Sequence, residues 1–94
     1  MRALVTGINS FVNRVLADKL VAMGYAVLGH YHSDNELTAE LKQIGSVELL
    51  QADFTDPKSI ELFMNAVKKA GPFDVIVNGA ACYTESDSWE AQLS

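Results

Sequence analysis

Ninety-four residues and 10.2 kDa make one domain and leave no room for a second. Hydrophobic residues are 49% and charged ones 20%, the composition of a globular chain, which excludes disorder and low complexity. Seven Lys and Arg against twelve Asp and Glu leave a net charge of −5, so no nucleic-acid partner is expected. No apolar run approaches the roughly 20 residues that cross a bilayer, so no membrane association is expected. A lone cysteine, Cys82, forms no internal disulfide, and no secretory leader is visible, so the cytoplasm is the expected compartment.

Ala3, Leu4 and Val5, halted by Gly7, read as the first strand, over residues 2–6. From Ser10, Val12, Val15, Leu16, Leu20 and Met23 recur at steps of three and four until Gly24, which predicts a helix burying that stripe. Residues 25–31 suit a central strand buried on both faces. Ser33 with Glu36 has capping-box spacing, and Leu37, Leu41 and Ile44 then predict a short helix ending at Gly45. Val47, Leu49 and Leu50 read as the third strand. Asp56 and Pro57 open a helix with the stripe Ile60, Phe63, Met64 and Val67, favourable lysines at Lys68 and Lys69, and a stop at Gly71-Pro72. Val75, Ile76 and Val77 read as the fourth strand, followed by a tail in which Trp89 and Leu93 share one helical face.

The order βαβαβαβ predicts an α/β fold, a Rossmann-like half with a parallel sheet in the order 3-2-1-4 and helices on both faces, spanning residues 1–94. Ligands of such sheets sit outside the carboxyl ends of the strands. The segments that matter are therefore residues 6–13, 30–34, 53–55 and 78–83.

Those segments resemble the amino-terminal half of short-chain dehydrogenases/reductases over almost the whole chain. Thr6-Gly7 resembles the start of the family's T-G-x3-G-x-G turn, Asp53-Phe54-Thr55-Asp56-Pro57 its aspartate segment, and Val77-Asn78-Gly79-Ala80-Ala81 its N-N-A-G. His30-Tyr31-His32-Ser33 is most similar to pteridine reductases. The resemblance implies cofactor contacts from Thr6, Gly7, Asn9 and Ser10, from His32 and Ser33, from Asp53 and Phe54, and from Asn78, Gly79 and Ala80. Asp53 would accept from the adenine amino group, and Phe54 would offer its backbone. The cofactor is NADP or NAD. The absence of a carboxylate immediately ending the second strand leans towards NADP, while Ser10 stands where many NADP-linked relatives carry Arg or Lys.

Two of the three family glycines are replaced, by Phe11 and Asn13. Phe11 puts a ring where phosphate is expected, which gives two readings: a crevice that binds a dinucleotide weakly, or a nucleotide fold whose pocket Phe11 fills. His30 and His32 share a strand face but lack further ligands for a metal, and the expectation is a partly buried His30 and a loop His32. Cys82 reads as structural rather than nucleophilic.

No Tyr has a Lys four residues on, so none of these residues is assigned a catalytic role. In the family the Ser and the Tyr-x3-Lys pair lie further along, and the expectation is a truncated unit without independent oxidoreductase activity. Two alternatives remain: half of a split oxidoreductase completed by another chain, or a non-enzymatic oligomerising module. An unpaired fourth strand predicts a homo-oligomer.

Overall fold

The computed structural model describes residues 1–79. Strands β1 (Arg2–Thr6), β2 (Ala26–Tyr31), β3 (Val47–Gln51) and β4 (Val75–Asn78) alternate with helices α1 (Phe11–Ala22), α2 (Glu36–Leu41) and α3 (Pro57–Ala70). The sheet is parallel, in the order β3-β2-β1-β4, as the alternation of elements predicts. Chain order reverses direction between β1 and β4, so the crevice of interest opens at the carboxyl ends of those two strands. The expectations for Ala80, Cys82 and the Trp89 tail lie outside the described residues.

The pleat divides the core in two. Ala3, Val5 and Val27 point to one face and pack with Ile8, with Ala17 of α1 and with Leu41 of α2. Leu4 and Leu28 point to the other, against Ala52 and Phe63 of α3. Val27, Leu28, Gly29 and His30 are all buried, as a strand flanked on both sides requires.

Helix α3 is laid down as its sequence predicts. The Asp56 carboxylate accepts from the Lys58 N–H, Pro57 occupies the first turn, and Phe63 is buried with Met64, Val67 and Ala70 beside it.

Helix α1 corrects the expected stripe. Val12 is 65% exposed and Met23 67%, while Asn13 and Ala17 are buried, with Leu20 and Val21 packed behind them. The inward line therefore runs 13, 17, 20 and 21: Leu20 packs inward as the expected stripe has it, while 13, 17 and 21 each stand one residue beyond an apolar position of that stripe. Ala17 is small enough to bring the helix close to the sheet. The Asn13 amide offsets its burial by donating to the Gly7 and Thr6 carbonyls at 3.1 and 3.5 Å.

Helix α2 corrects the cap. Asn35, not Ser33, is the N-cap: its Oδ1 accepts from the Thr38 N–H at 3.1 Å, and its own N–H donates to Thr38 Oγ1 at 3.2 Å. Thr38 takes the reciprocal role in which glutamate was expected at position 36. The helix ends at Leu41, and Ile44 packs on the core from beyond it. Arg14 joins α1 to α2 through Glu40 and also pairs with Asp18, each at 3.1 Å.

Candidate functional site

The predicted segments, the fourth of them as far as Gly79, meet along one edge of the sheet, because parallel strands deliver all their carboxyl ends to the same side. At β1, Thr6 is buried: its hydroxyl reaches Asn78 Oδ1 at 3.1 Å and accepts from the Gly79 N–H at 2.9 Å. This stitches the ends of β1 and β4 together. Gly7 follows with φ 62°, a left-handed conformation that side-chain-bearing residues adopt at a cost.

Ser10 caps α1, its hydroxyl accepting from the Asn13 N–H at 3.3 Å. Asn9 is directed at the loop after β2: its Nδ2 donates to the Ser33 carbonyl at 2.6 Å and to Thr38 Oγ1 at 2.8 Å. Asn35 Nδ2 returns a bond to the Asn9 carbonyl at 2.9 Å. The turn after β1 and the loop after β2 are thus one hydrogen-bonded unit, in which Asn9 and Ser10 have structural duties.

Of the two readings of Phe11, the filled pocket loses its support: the residue is 78% exposed rather than buried between the strands and α1. The residue at the family's third glycine position, Asn13, is the one that turns inward.

His32 lies just beyond β2, with Nε2 3.8 Å from Asp53 Oδ1. Asp53 Oδ1 also accepts from the Thr55 N–H at 2.9 Å and from Thr55 Oγ1 at 2.6 Å. These Thr55 bonds lower the carboxyl pKa, and the nearby imidazole adds to the effect. The Asp53 N–H donates to Ser59 Oγ at 2.8 Å, which anchors the segment to α3. His32, Ser33, Gln51, Ala52, Asp53 and Ser59 surround a cavity of about 400 Å³. It brings together three residues singled out from the sequence, His32, Ser33 and Asp53, with three that were not.

His30 corrects a further expectation. It is 2% exposed rather than partly buried, and both ring nitrogens are engaged: Nδ1 accepts from the Gly7 N–H at 3.1 Å and Nε2 donates to the Ala52 carbonyl at 2.9 Å. That leaves neither nitrogen for a metal. Phe54 stacks on the imidazole, with centroids 4.1 Å apart and planes 9° from parallel, and Phe63 meets it edge-on at 5.2 Å. Burial lowers the His30 pKa, partly opposed by the bond to Ala52. Phe54, assigned a backbone role from the sequence, contributes its ring to this packing. The signal for His30 was available: it sits inside a strand buried on both faces, where a polar side chain must find partners.

Among the described residues no group of three His, Cys, Asp or Glu is placed to hold a metal, and no helix is long and apolar enough to cross a membrane.

A family model described as short chain dehydrogenase matches residues 1–94. The NADPH-dependent pterin aldehyde reductase of Arabidopsis thaliana is 34% identical over 92 residues, which are 93% of this chain and 38% of that protein. The 3-oxoacyl-(acyl-carrier-protein) reductase FabG of Escherichia coli K12 is 35% identical over 80 residues, 83% of this chain and 33% of that one. Among solved structures, the menthone neomenthol reductase of Mentha piperita superposes with a TM-score of 0.67 at 27% identity, over 86% of this chain and 31% of its own. The chain therefore spans well under half the length of the relatives it matches.

Proposed function

Because the chain belongs to the short chain dehydrogenase family, we propose that these 94 residues form a dinucleotide-binding unit that takes NADP(H) in preference to NAD(H), binds it weakly, and depends on residues outside the 94 for hydride transfer. The observation that carries the reading is Phe11: the residue is 78% exposed rather than buried, which supports a crevice between β1 and β4 that it does not plug.

The residues fit such a cofactor best at its adenosine end. The cavity of about 400 Å³ is flanked by Asp53, an acceptor suited to an exocyclic amine, and by His32 and Ser33, which bear no negative charge against a 2′-phosphate. At the pyrophosphate end, Gly7 holds the turn, and the start of α1 presents the positive end of its dipole. Asn13 in place of glycine spends its amide on the Gly7 and Thr6 carbonyls, and this substitution is the reason for expecting weak affinity. The nicotinamide, when bound, supplies or accepts the hydride. The described residues bind and orient; none of the 94 forms a Tyr-x3-Lys pair to move the accompanying proton.

Equilibrium titration of the chain with NADPH and NADH tests this, with tighter binding of NADPH as the expected result. Failure to bind either at millimolar concentration would overturn the reading.

A second reading concerns partners. Ile76, on the outer strand β4, is 62% exposed, and Phe11, Val12, Val15 and Leu16 leave an apolar face on α1. These support a unit that works against another polypeptide, either a complementing chain with the Ser and Tyr-x3-Lys residues or a second copy. Light scattering distinguishes a second copy from a monomer, and restored reductase activity on mixing identifies a complementing chain.

A further inference from the structure

We propose that His30, in its Nε2–H form, is a positioning residue that clips the turn after β1 to the segment after β3, so that the two cofactor-facing segments hold one spacing.

The geometry assigns the tautomer. A backbone N–H can only donate, so the Gly7 N–H at 3.1 Å requires a bare Nδ1. A carbonyl can only accept, so Ala52 at 2.9 Å requires a proton on Nε2. One buried ring therefore spans β2 sideways and reaches both neighbours of that strand at its carboxyl end. The main chain already ties them there, through the Ile8 N–H to the His30 carbonyl at 2.8 Å and the Ala52 N–H to the Tyr31 carbonyl at 3.0 Å. The imidazole adds a link on each side, just before the chain enters the two loops. Phe54 and Phe63 fix its plane.

Neither bond is dispensable in a buried setting, since losing either strands a polar group without water. Protonating Nδ1 turns its acceptor into a donor facing the Gly7 N–H, and the turn must move away. The groups around the ring offer little to hold that proton. The turn after β1 contributes Gly7 and Ile8, and α3 contributes Phe63. Beyond β3 lie Ala52, Phe54 and Asp53, the last with its carboxylate turned to Thr55 and His32. On β2's own continuation His32 opposes a second positive charge. The clip is thus closed at neutral pH and opens on acidification.

The inference rests on the dinucleotide reading for its functional consequence, and its test separates the two. In ¹⁵N NMR of the full chain at about pH 7.5, the His30 ring should show a bare Nδ1 and a protonated Nε2. The Gly7 amide should be protected, and its exchange, corrected for intrinsic rate, should rise about tenfold as His30 titrates. His30→Gln keeps one acceptor and one donor without titrating, so its Gly7 protection should not depend on pH. NADPH affinity of the wild type should fall about tenfold once the pH is about one unit below the point at which the His30 ring titrates, and that of His30→Gln should not.

An Nδ1–H tautomer, or a Gly7 amide indifferent to His30 titration, overturns the proposal. So do identical pH profiles for wild type and variant. Absence of NADPH binding at every pH removes the dinucleotide reading while the ring and amide signals still judge the clip. Should His30→Gln not fold, the wild-type tautomer and amide titration decide alone.

Discussion

The side-chain amide of Asn13 stands where a β-carbon on Gly79 would go, with Nδ2 1.7 Å from that ideal site. Two residues 66 positions apart in sequence thereby share one space between α1 and the end of β4. The Thr6 carbonyl, 2.7 Å from the same site, closes it from the β1 side. Gly79→Ala is expected to destabilise the chain by about 1–3 kcal/mol, the usual range for overpacking. Adding Asn13→Ala should recover only part of that loss, because the Thr6 carbonyl is backbone and cannot withdraw. Urea denaturation midpoints of the single and double variants measure both effects.

The rotated face of α1 gives opposite expectations for adjacent turns. Ala17 is fully buried, so Ala17→Leu should cost about 1–3 kcal/mol. Val12 is 65% exposed, so Val12→Lys should leave stability within about 0.5 kcal/mol. If the apolar stripe were the buried one, the order of the two effects would reverse. Thermal melts of the two variants decide it.

Acid should destabilise the fold through His30. Its pKa is near 6.5 unfolded and lower when folded, so over that interval the unfolded chain binds more protons. Stability is fully present above the unfolded value and is lost as pH falls below it, with a slope of at most about 1.4 kcal/mol per pH unit. Asp53, also lowered, contributes its own loss only below its unfolded value of 3.8. Denaturation curves between these two values should show the limb in the wild type and not in His30→Gln.

Asp53→Asn separates the two duties of that residue. The amide oxygen can keep accepting from Thr55, so the turn and overall stability should hold within about 0.5 kcal/mol. The second oxygen becomes an NH₂, which cannot accept from an adenine amino group. NADPH affinity should drop about tenfold, read by fluorescence titration beside a melt of the same protein.

Much of the architecture was legible from residues that state their own environment. Alternating apolar runs marked the four strands, Asp56-Pro57 marked the start of α3, and the order of elements implied the strand order observed. The family resemblance was equally legible, because Thr6-Gly7, Asp53 and Asn78-Gly79 stand at loop ends that the fold itself places together. Misreadings fell where hydrophobicity is a poor guide to direction. Phe11 and Val12 are apolar and exposed, while Asn13 and Thr38 are polar and buried, each with its bonds satisfied. The cap of α2 was missed for a related reason: Asn35 and Thr38 complete each other's bonds, a pairing that the Ser33 and Glu36 spacing obscured.

The sequence by itself determined the fold class, the edge of the sheet at which the carboxyl ends of the strands gather, and the absence of a Tyr-x3-Lys pair within these 94 residues, since all three follow from residue order and local periodicity. Only the tertiary structure decided which face of α1 is buried, that Phe11 is exposed, and that one imidazole joins Gly7 to Ala52. Those outcomes depend on contacts between residues distant in sequence, where a close approach or a satisfied hydrogen bond outweighs the apolar character of a single side chain.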